Sequence, residues 1–395
     1  MFKPYFHLIE LYTFLIIISS TLSFLVLKLI EKSNKNFLPI LFLKASKSSS
    51  NANLLGGLSF SVSAFVASLS ALFFFRTLFT RSEFHIFKYC LLPFLLVTAY
   101  GYIDDRMEIR ARHKLVLQFV TVLGVLLPVT MRFYPGHPLF FGVGMFFGLA
   151  YMNGCNLIDG ADTLFAKVGM SSSVGFFIMG YFSHSIPVMS LSLIAISSLS
   201  IFYFFNKEPA KIYTGEIGVG LMGLFFLAQG IFLFQKLNPF SIESLHVLSK
   251  ILIVSFLPVA ELAISFLRRV WAGKSPFRGD QLHLHHILKN KFKLSPTQIS
   301  NFMALFNISL VSFGLVLSTV TNPIIALALT TVVFCSVQYI VCGKNWKTAK
   351  GKMEFNSLFM SLREKPIHVI NGKIIENAFH QYEAHQLPAE QKRAA

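Results

Sequence analysis

Long runs of apolar residues, separated by short polar segments, follow one another along the chain as far as residue 342. A helix needs about 20 apolar residues to cross the ~30 Å hydrocarbon layer of a membrane. By this measure the sequence predicts an all-α polytopic membrane protein with about eleven transmembrane helices, or ten because the fifth run is short. The first run is interpreted as a retained anchor. The predicted spans are 11–30, 54–75, 87–103, 115–131, 139–153, 168–184, 186–205, 217–234, 247–267, 299–318 and 322–342.

The composition supports the same class. Hydrophobic residues make up 54% of the chain and charged residues 13%, whereas soluble domains have roughly 25% charged residues. The excess of 35 Lys and Arg over 18 Asp and Glu would indicate nucleic acid in a soluble protein, but here it is typical of loops that face anionic lipid. Nucleic-acid binding is therefore not predicted. The four cysteines are scattered, so neither a metal cluster nor a disulfide framework is predicted.

The loop charges also predict the orientation, because Lys and Arg resist translocation. The loops after odd-numbered spans and the C-terminal tail hold most of the Lys and Arg. We therefore expect the N-terminus outside and the polar motifs described below on the cytoplasmic face. Residues 1–342 are predicted to form a transmembrane domain that carries the chemistry, and residues 343–395 a cytoplasmic C-terminal tail.

Two adjacent carboxylates, Asp104 and Asp105, stand where the third apolar run ends. Neighbouring carboxylates at a membrane boundary repel each other, so a cation or a proton must offset one charge. Lys114 and Gln118 follow on one helical face, since they are four residues apart. The alternatives are a solvated loop start balanced by nearby arginines, and a lysine that reaches toward lipid headgroups.

The second motif is a polar stripe in which Asn153, Asn156, Asp159 and Asp162 recur at every third residue. This spacing aligns them along one side of a helical or near-helical segment, and Gly160 lets a ligand approach the backbone. Amide and carboxylate oxygens suit Mg²⁺ and a nucleotide better than zinc. A role limited to turns and helix caps is the alternative.

The third motif is the segment 205–220, with Lys211 in a turn and Glu216 among glycines at the start of a span. Backbone N–H groups at a glycine-rich helix start favour an anion. Close helix packing is an adequate alternative explanation for Gly218 and Gly220.

The fourth motif is the basic loop 268–288, which contains "AGKS" and three histidines. Arg268 stands where a phosphate-binding P-loop needs its first glycine, which excludes that loop. The histidines at 283, 285 and 286 could bind a transition metal, but the surrounding Arg and Lys, including Arg278, favour phosphate contact. An ordinary solvated loop is the third interpretation.

In their order and spacing, these four motifs resemble the polyprenyl-phosphate N-acetylhexosamine-1-phosphate transferases, glycosyltransferase family 4. This group includes bacterial undecaprenyl-phosphate GlcNAc-1-phosphate transferases and phospho-MurNAc-pentapeptide translocase. The resemblance covers about residues 44–288. The HLHH form preceded by Asp280 is similar to the GlcNAc-1-phosphate branch, whereas three consecutive histidines are typical of the other branch.

The resemblance implies transfer of a sugar-1-phosphate from a UDP-N-acetylhexosamine to a polyprenyl phosphate in the bacterial inner membrane. It implies Mg²⁺, with Mn²⁺ as a substitute, contact with membrane lipids, and compatibility with a homodimer. The implied metal ligands are Glu216 with Asp104 or Asp105. The implied catalytic residues are Asp104, Asp105, Asp159, His283, His285 and His286. The implied substrate-binding residues are Lys114, Gln118, Asn153, Asn156, Asp162, Lys211 and Arg278.

The chain departs from the family pattern at several positions. Thr163 replaces a usual glycine, Val219 a usual serine, and both Glu216 and Glu261 stand for aspartates. Either the site has adjusted to these changes, or the activity is altered or lost. The alternatives are a phospho-MurNAc-pentapeptide transferase and a non-catalytic relative that binds lipid-linked sugars. A transporter is not predicted, because the charges lie mostly at the ends of spans and no internal repeat is visible.

Overall fold

The computed structural model describes residues 3–33, 52–235, 237–239, 241–271, 273, 275 and 282–342. Over these residues the chain has thirteen α-helices, one short 3₁₀ turn and no β-strand. The helices are α1 (Lys3–Lys32), α2 (Gly56–Phe74), α3 (Arg81–Met107), α4 (Ala111–Phe133), α5 (Pro138–Leu157), α6 (Leu164–Phe182), α7 (Ile186–Asn206), α8 (Gly215–Phe234), α9 (Ile242–Val254), α10 (Phe256–Trp271), α11 (Leu284–Phe292), α12 (Pro296–Val320) and α13 (Pro323–Cys342).

Ten of these helices are long and apolar enough to cross a membrane. The pair α9 and α10 would add an eleventh span if the two helices are counted together. The prediction of an all-α polytopic membrane protein is therefore confirmed. The short fifth run proved to be a full helix of 20 residues, because α5 continues through the polar residues up to Leu157.

The ninth predicted span, 247–267, is wrong as a single straight helix. It is divided between α9 and α10, which meet at Ser255 with a bend of 85°. Pro258, in the first turn of α10, has no N–H to donate, and in a continuous helix its ring would clash with the carbonyl of Val254. The break matters for the candidate site, because α10 carries the polar side chains that contact the start of the histidine segment, residues 282–286.

Helix α8 is the centre of the bundle, with 83% of its most apolar stretch buried. It packs against α2, α3 and α5. The contact with α2 is close because Gly57 has no side chain. An added Cβ at this position would overlap the backbone N of Gly218. The packing interpretation of the glycines in this segment is therefore correct for Gly218. The first turn of this buried helix carries Glu216, so the position of that carboxylate is fixed by the core.

The helices described above belong to one unit of the chain, Met1–Val341. The predicted tail, 343–395, lies outside the described residues, and the two-domain division stays a prediction. The orientation with the N-terminus outside also stays a prediction.

Candidate functional site

Four polar segments from the sequence meet at one end of the helix bundle. They are the end of α3, the start of α4, the end of α5 and the start of α8, and side-chain contacts join them directly. Segments separated by more than 100 residues along the chain therefore form one cluster, here called the carboxylate site. Its central residues are Asp104, Asp105, Lys114, Asn156 and Glu216.

Lys114 lies between two carboxylates of the carboxylate site. Its Nζ atom is 3.2 Å from Asp104 Oδ2 and also contacts Glu216 Oε2. Asp104 is buried, and its Oδ1 atom accepts a 2.6 Å hydrogen bond from the backbone N of Ile109 in the turn that leads to α4. This turn brings the first turn of α4, and with it Lys114, next to the last turn of α3. The ammonium group thus offsets the repulsion between two carboxylates.

Asp105 binds the start of α8. Both of its carboxylate oxygens accept a hydrogen bond from the backbone N of Glu216, at 2.9 and 3.1 Å. Gly215, just before, has φ of +66°, a conformation that favours glycine. The sequence predicted an anion at this helix start, and the structure places the carboxylate of Asp105 there.

The polar stripe 153–162 is divided among several contacts. Asn156 Nδ2 donates a 2.6 Å hydrogen bond to Glu216 Oε1 and so belongs to the carboxylate site. One turn earlier in α5, Asn153 Nδ2 donates to Gln118 Oε1 at 2.9 Å, which joins α5 to α4. Helix α5 ends at Leu157, so the helical stripe does not continue to the two aspartates. These lie in the turn that precedes α6.

Asp159 is half-buried and near Glu216. Burial, together with the charge of Glu216, raises the pKa of its carboxyl to about 7. Asp162 accepts a 3.1 Å hydrogen bond from the backbone N of Ala210, and burial likewise raises its pKa. Asp159 therefore faces the carboxylate site, while Asp162 ties the α5–α6 turn to the turn before α8.

The residue after Asp162 explains one departure from the family pattern. Thr163 has φ of +62°, in the left-handed region that favours glycine. Its backbone N donates a 2.7 Å hydrogen bond to Asn206 Oδ1 at the end of α7, and its hydroxyl lies 2.9 Å from that of Ser300. The backbone conformation is thus compatible with the usual glycine, and these contacts accompany the threonine found here.

Three polar side chains on one face of α10 hold the start of the histidine segment. Glu261, Ser265 and Arg268 follow at spacings of four and three residues, which places them on the same side of the helix. Their partners are three successive residues: the Leu284 backbone N donates to Glu261 Oε2 at 3.5 Å, His283 Nδ1 lies 3.0 Å from Ser265 Oγ, and Arg268 Nη1 donates to the Leu282 carbonyl at 2.9 Å.

His285 is the histidine that meets the polar stripe. A Cβ atom at Gly160 would overlap the imidazole Nε2 of His285, so the ring lies directly against the backbone there. Burial, together with the charges of His286, His283 and Lys289, lowers the pKa of His285 to about 3. His285 is therefore a neutral imidazole at physiological pH, which donates or accepts hydrogen bonds but carries no charge.

One predicted substrate-binding residue, Lys211, lies outside the carboxylate site. Lys211 is exposed, and its Nζ atom forms an ion pair with Glu31 Oε1 of α1 at 2.7 Å. Arg278 lies outside the described residues. Gln338 of α13, which belongs to none of the four sequence motifs, donates a 2.5 Å hydrogen bond to the buried Glu261. A lone glutamine in an apolar run has no distinctive spacing, and only the fold brings it to Glu261.

We expect the Glu261 and Gln338 side chains to be strongly coupled in stability. Replacing either one by leucine leaves its partner buried without this hydrogen bond, which should cost about 1–3 kcal/mol. The double variant, E261L with Q338L, should lose less than the sum of the two single losses. Thermal unfolding in detergent of the four proteins measures the coupling, and strictly additive losses would contradict it.

Comparison with known proteins bears on the same segments. A family model described as glycosyl transferase family 4 matches residues 87–234, which include the carboxylate site. A probable undecaprenyl-phosphate N-acetylglucosaminyl 1-phosphate transferase of Bacillus subtilis (strain 168) is 27% identical over 229 residues, or 55% of this chain and 61% of the relative. The phospho-N-acetylmuramoyl-pentapeptide-transferase of Enterococcus hirae is 26% identical over 47% of this chain and 61% of the relative.

A third relative is the undecaprenyl-phosphate alpha-N-acetylglucosaminyl 1-phosphate transferase of Thermotoga maritima, 26% identical over 53% of this chain and 64% of its own length. The chain thus spans less than two thirds of the length of each of these relatives. The ten apolar helices and the bacterial relatives indicate a multi-pass protein of the bacterial inner membrane. The segments that form the carboxylate site are thus the part of the chain that is similar to glycosyl transferase family 4.

Proposed function

We propose that this protein transfers GlcNAc-1-phosphate from UDP-GlcNAc to undecaprenyl phosphate and so starts a cell-envelope glycan. The observation that carries the proposal is the carboxylate site itself, where Lys114 bridges Asp104 and Glu216 beside Asn156. Both reactants are phosphate anions, and an apolar chain on one of them requires a site at a membrane boundary. Relatives named for this transfer support the proposal.

The residues of the carboxylate site fit Mg²⁺ by their chemistry. Mg²⁺ prefers oxygen ligands and commonly takes one or two carboxylates, with water and substrate phosphates completing the octahedron. Among the described residues, no group of three or more Asp, Glu, His or Cys is already arranged around a metal position. Glu216 and Asp104 are the two carboxylates that would hold the ion, with Lys114 moving away from them. The carboxylate of Asp105 already accepts hydrogen bonds from the backbone N of Glu216, so its role is to hold the start of α8 in place. Mn²⁺ would suit the same ligands.

In the proposed reaction, a phosphate oxygen of the polyprenyl phosphate attacks the phosphorus next to the sugar. The bond from that phosphorus to the bridging oxygen breaks, and UMP leaves with the electron pair. Mg²⁺, when bound, neutralises phosphate charge. Lys114 moves from the two carboxylates to a phosphate oxygen, which stabilises the charge that develops in the transition state. Asp104 orients the lipid phosphate, or accepts its proton when the phosphate is not fully ionised.

The remaining residues position the donor. Asn156 orients the diphosphate with Asp159, and neutral His285 donates a hydrogen bond to a phosphate or sugar oxygen. His283 and His286 flank that ring, with centroids 5.8 and 4.1 Å from it, and complete the segment that covers the donor. We assign uridine contact to Asp162, while phosphate contact by Lys211 or Arg278 stays a prediction from the sequence. The hydrogen bond between Asn153 and Gln118 holds α5 against α4 next to these residues.

The spacing His283, His285, His286 favours UDP-GlcNAc, or a related UDP-N-acetylhexosamine, over the MurNAc-pentapeptide donor. A relative named for the latter transfer matches with comparable identity. The donor is therefore the part of the proposal that most needs a direct measurement.

The test is UMP release by the purified protein with undecaprenyl phosphate, Mg²⁺ and a panel of UDP-sugars that includes UDP-MurNAc-pentapeptide. We expect release with UDP-GlcNAc and its loss with EDTA. We also expect Glu216→Asp to release UMP about tenfold more slowly, because the shorter side chain cannot keep its contact with Asn156 and reach the cation position at the same time.

Each other outcome is informative. Release only with the MurNAc-pentapeptide donor would replace the substrate assignment. If neither protein releases UMP with any donor, the transferase proposal fails and a non-catalytic role in binding lipid-linked sugars is favoured. Faster release by Glu216→Asp would mean that the glutamate is a defect rather than an adjusted ligand.

A further inference from the structure

A second buried polar group lies beside the carboxylate site. Tyr100 is four residues before Asp104 in α3, and only 6% of it is exposed. Within the described part of the chain, its hydroxyl has no hydrogen-bond partner. Most buried hydroxyls in proteins are paired, so a buried phenol without a partner needs an explanation.

The surroundings of this hydroxyl show where it points. It lies within electrostatic range of both Glu216 and Asp104. On the other side is Gly220 of α8, one turn after Glu216, where an added Cβ would come within 3.1 Å of the hydroxyl oxygen. The phenol therefore occupies the space left by a glycine between α3 and α8, one helical turn deeper than the two carboxylates.

Other buried tyrosines of the chain have partners. Tyr134 is 5% exposed and donates a 2.6 Å hydrogen bond to the Phe234 carbonyl. Tyr151 is 2% exposed, and its oxygen accepts a 3.3 Å hydrogen bond from the Ser255 hydroxyl. A phenylalanine would fill the space at position 100 without the cost of desolvating a hydroxyl. The hydroxyl of Tyr100 is thus explained best by a partner that arrives with a ligand.

The two neighbouring carboxylates restrict what that ligand is. Without a divalent cation, Asp104 and Glu216 would repel a phosphate oxygen, whereas they would attract a hydrated divalent cation. The water molecules of such a cation both donate and accept hydrogen bonds, which matches a phenol. Mg²⁺ in particular retains several of its waters when bound to protein carboxylates.

We propose that the Tyr100 hydroxyl forms a hydrogen bond with a water molecule of the divalent cation held by Glu216 and Asp104. This inference rests on the proposed function, because it takes the cation from there. Tyr100 is then a positioning residue of the cation, and Gly220 is the residue that makes room for it. Outer groups of this kind orient the inner ligands and contribute to metal affinity.

The test compares Tyr100→Phe with wild-type protein, using Mn²⁺ alone as the probe. Binding is measured by the loss of the free Mn²⁺ electron paramagnetic resonance signal in detergent, and thermal unfolding is measured in EDTA. We expect Tyr100→Phe to bind Mn²⁺ about tenfold more weakly. In EDTA its unfolding temperature should be no lower than that of the wild type, because the variant removes a hydroxyl that has no partner.

Tyr134→Phe is the matched control, since it removes a buried hydroxyl that has a partner far from the site. It should unfold at a lower temperature in EDTA and bind Mn²⁺ as the wild type does. Unchanged Mn²⁺ binding by Tyr100→Phe would overturn the inference about Tyr100 alone. A loss of stability in EDTA as large as that of Tyr134→Phe would also overturn it. Absence of Mn²⁺ binding by the wild-type protein would overturn the inference and the metal site of the proposed function together.

Discussion

Replacing Lys114 by methionine is expected to lower the rate of UMP release by about 100- to 1,000-fold, the usual loss when a preorganised group that stabilises transition-state charge is removed. Lys114 is the ammonium group that contacts both Asp104 and Glu216, and its side chain is only 17% exposed. Without it, no ammonium group is available at this position to stabilise the charge on the transferring phosphate. The measurement is steady-state UMP release at saturating Mg²⁺ and undecaprenyl phosphate.

Lys88→Met is the matched control for Lys114→Met. Lys88 is exposed near the start of α3, about 24 Å along the helix from Asp104 at 1.5 Å per residue. Its replacement removes the same charge without changing the carboxylate site, so activity should stay within about twofold, since surface charges contribute little. Equal losses in the two variants would mean that net charge, rather than the position of Lys114, controls the reaction.

Adding a single methyl group at Gly160 is expected to reduce activity by about 100-fold. The Cβ of Gly160→Ala would overlap the imidazole of His285, so the ring must move away from the α5–α6 turn. A displacement of about 1 Å in a positioned group can cost this much. Gly160 is itself exposed, so the fold should keep its unfolding temperature while UMP release falls.

Gly142→Ala is the control for the added methyl group, because it lies in α5 and has no atom within 4 Å of an added Cβ. It should leave activity unchanged. Full activity of Gly160→Ala would show that His285 leaves this position during the reaction, and the role assigned to that histidine would have to be abandoned.

The sequence was sufficient for the class of fold because the membrane makes hydrophobic length decisive. An apolar run of about 20 residues between polar loops has little alternative to a spanning helix. The same rule failed for 247–267, where the run is long enough but Pro258 interrupts the hydrogen bonding. Hydrophobicity alone does not predict such a break. Only the break shows that α10 is a separate helix with a polar face of its own.

The sequence also determined which side chains were candidates, since charges at the ends of spans are costly to keep. It did not determine their partners. Asp105 and Asp104 are neighbours with the same chemistry, yet one binds the start of α8 and the other binds Lys114. Successive residues of a helix point about 100° apart. The packing of α3 against α4 and α8 therefore decided which aspartate binds α8 and which binds Lys114.

The sequence by itself determined a polytopic helical protein with polar motifs at the ends of its spans, because burial in lipid depends on composition and length. Only the tertiary structure decided that Lys114 joins Asp104 to Glu216, that Gly160 supports His285, and that the Tyr100 hydroxyl lies beneath the carboxylates. These contacts join residues distant in the chain across helix interfaces. Their geometry depends on the close approach of whole helices, which no local spacing in the sequence specifies.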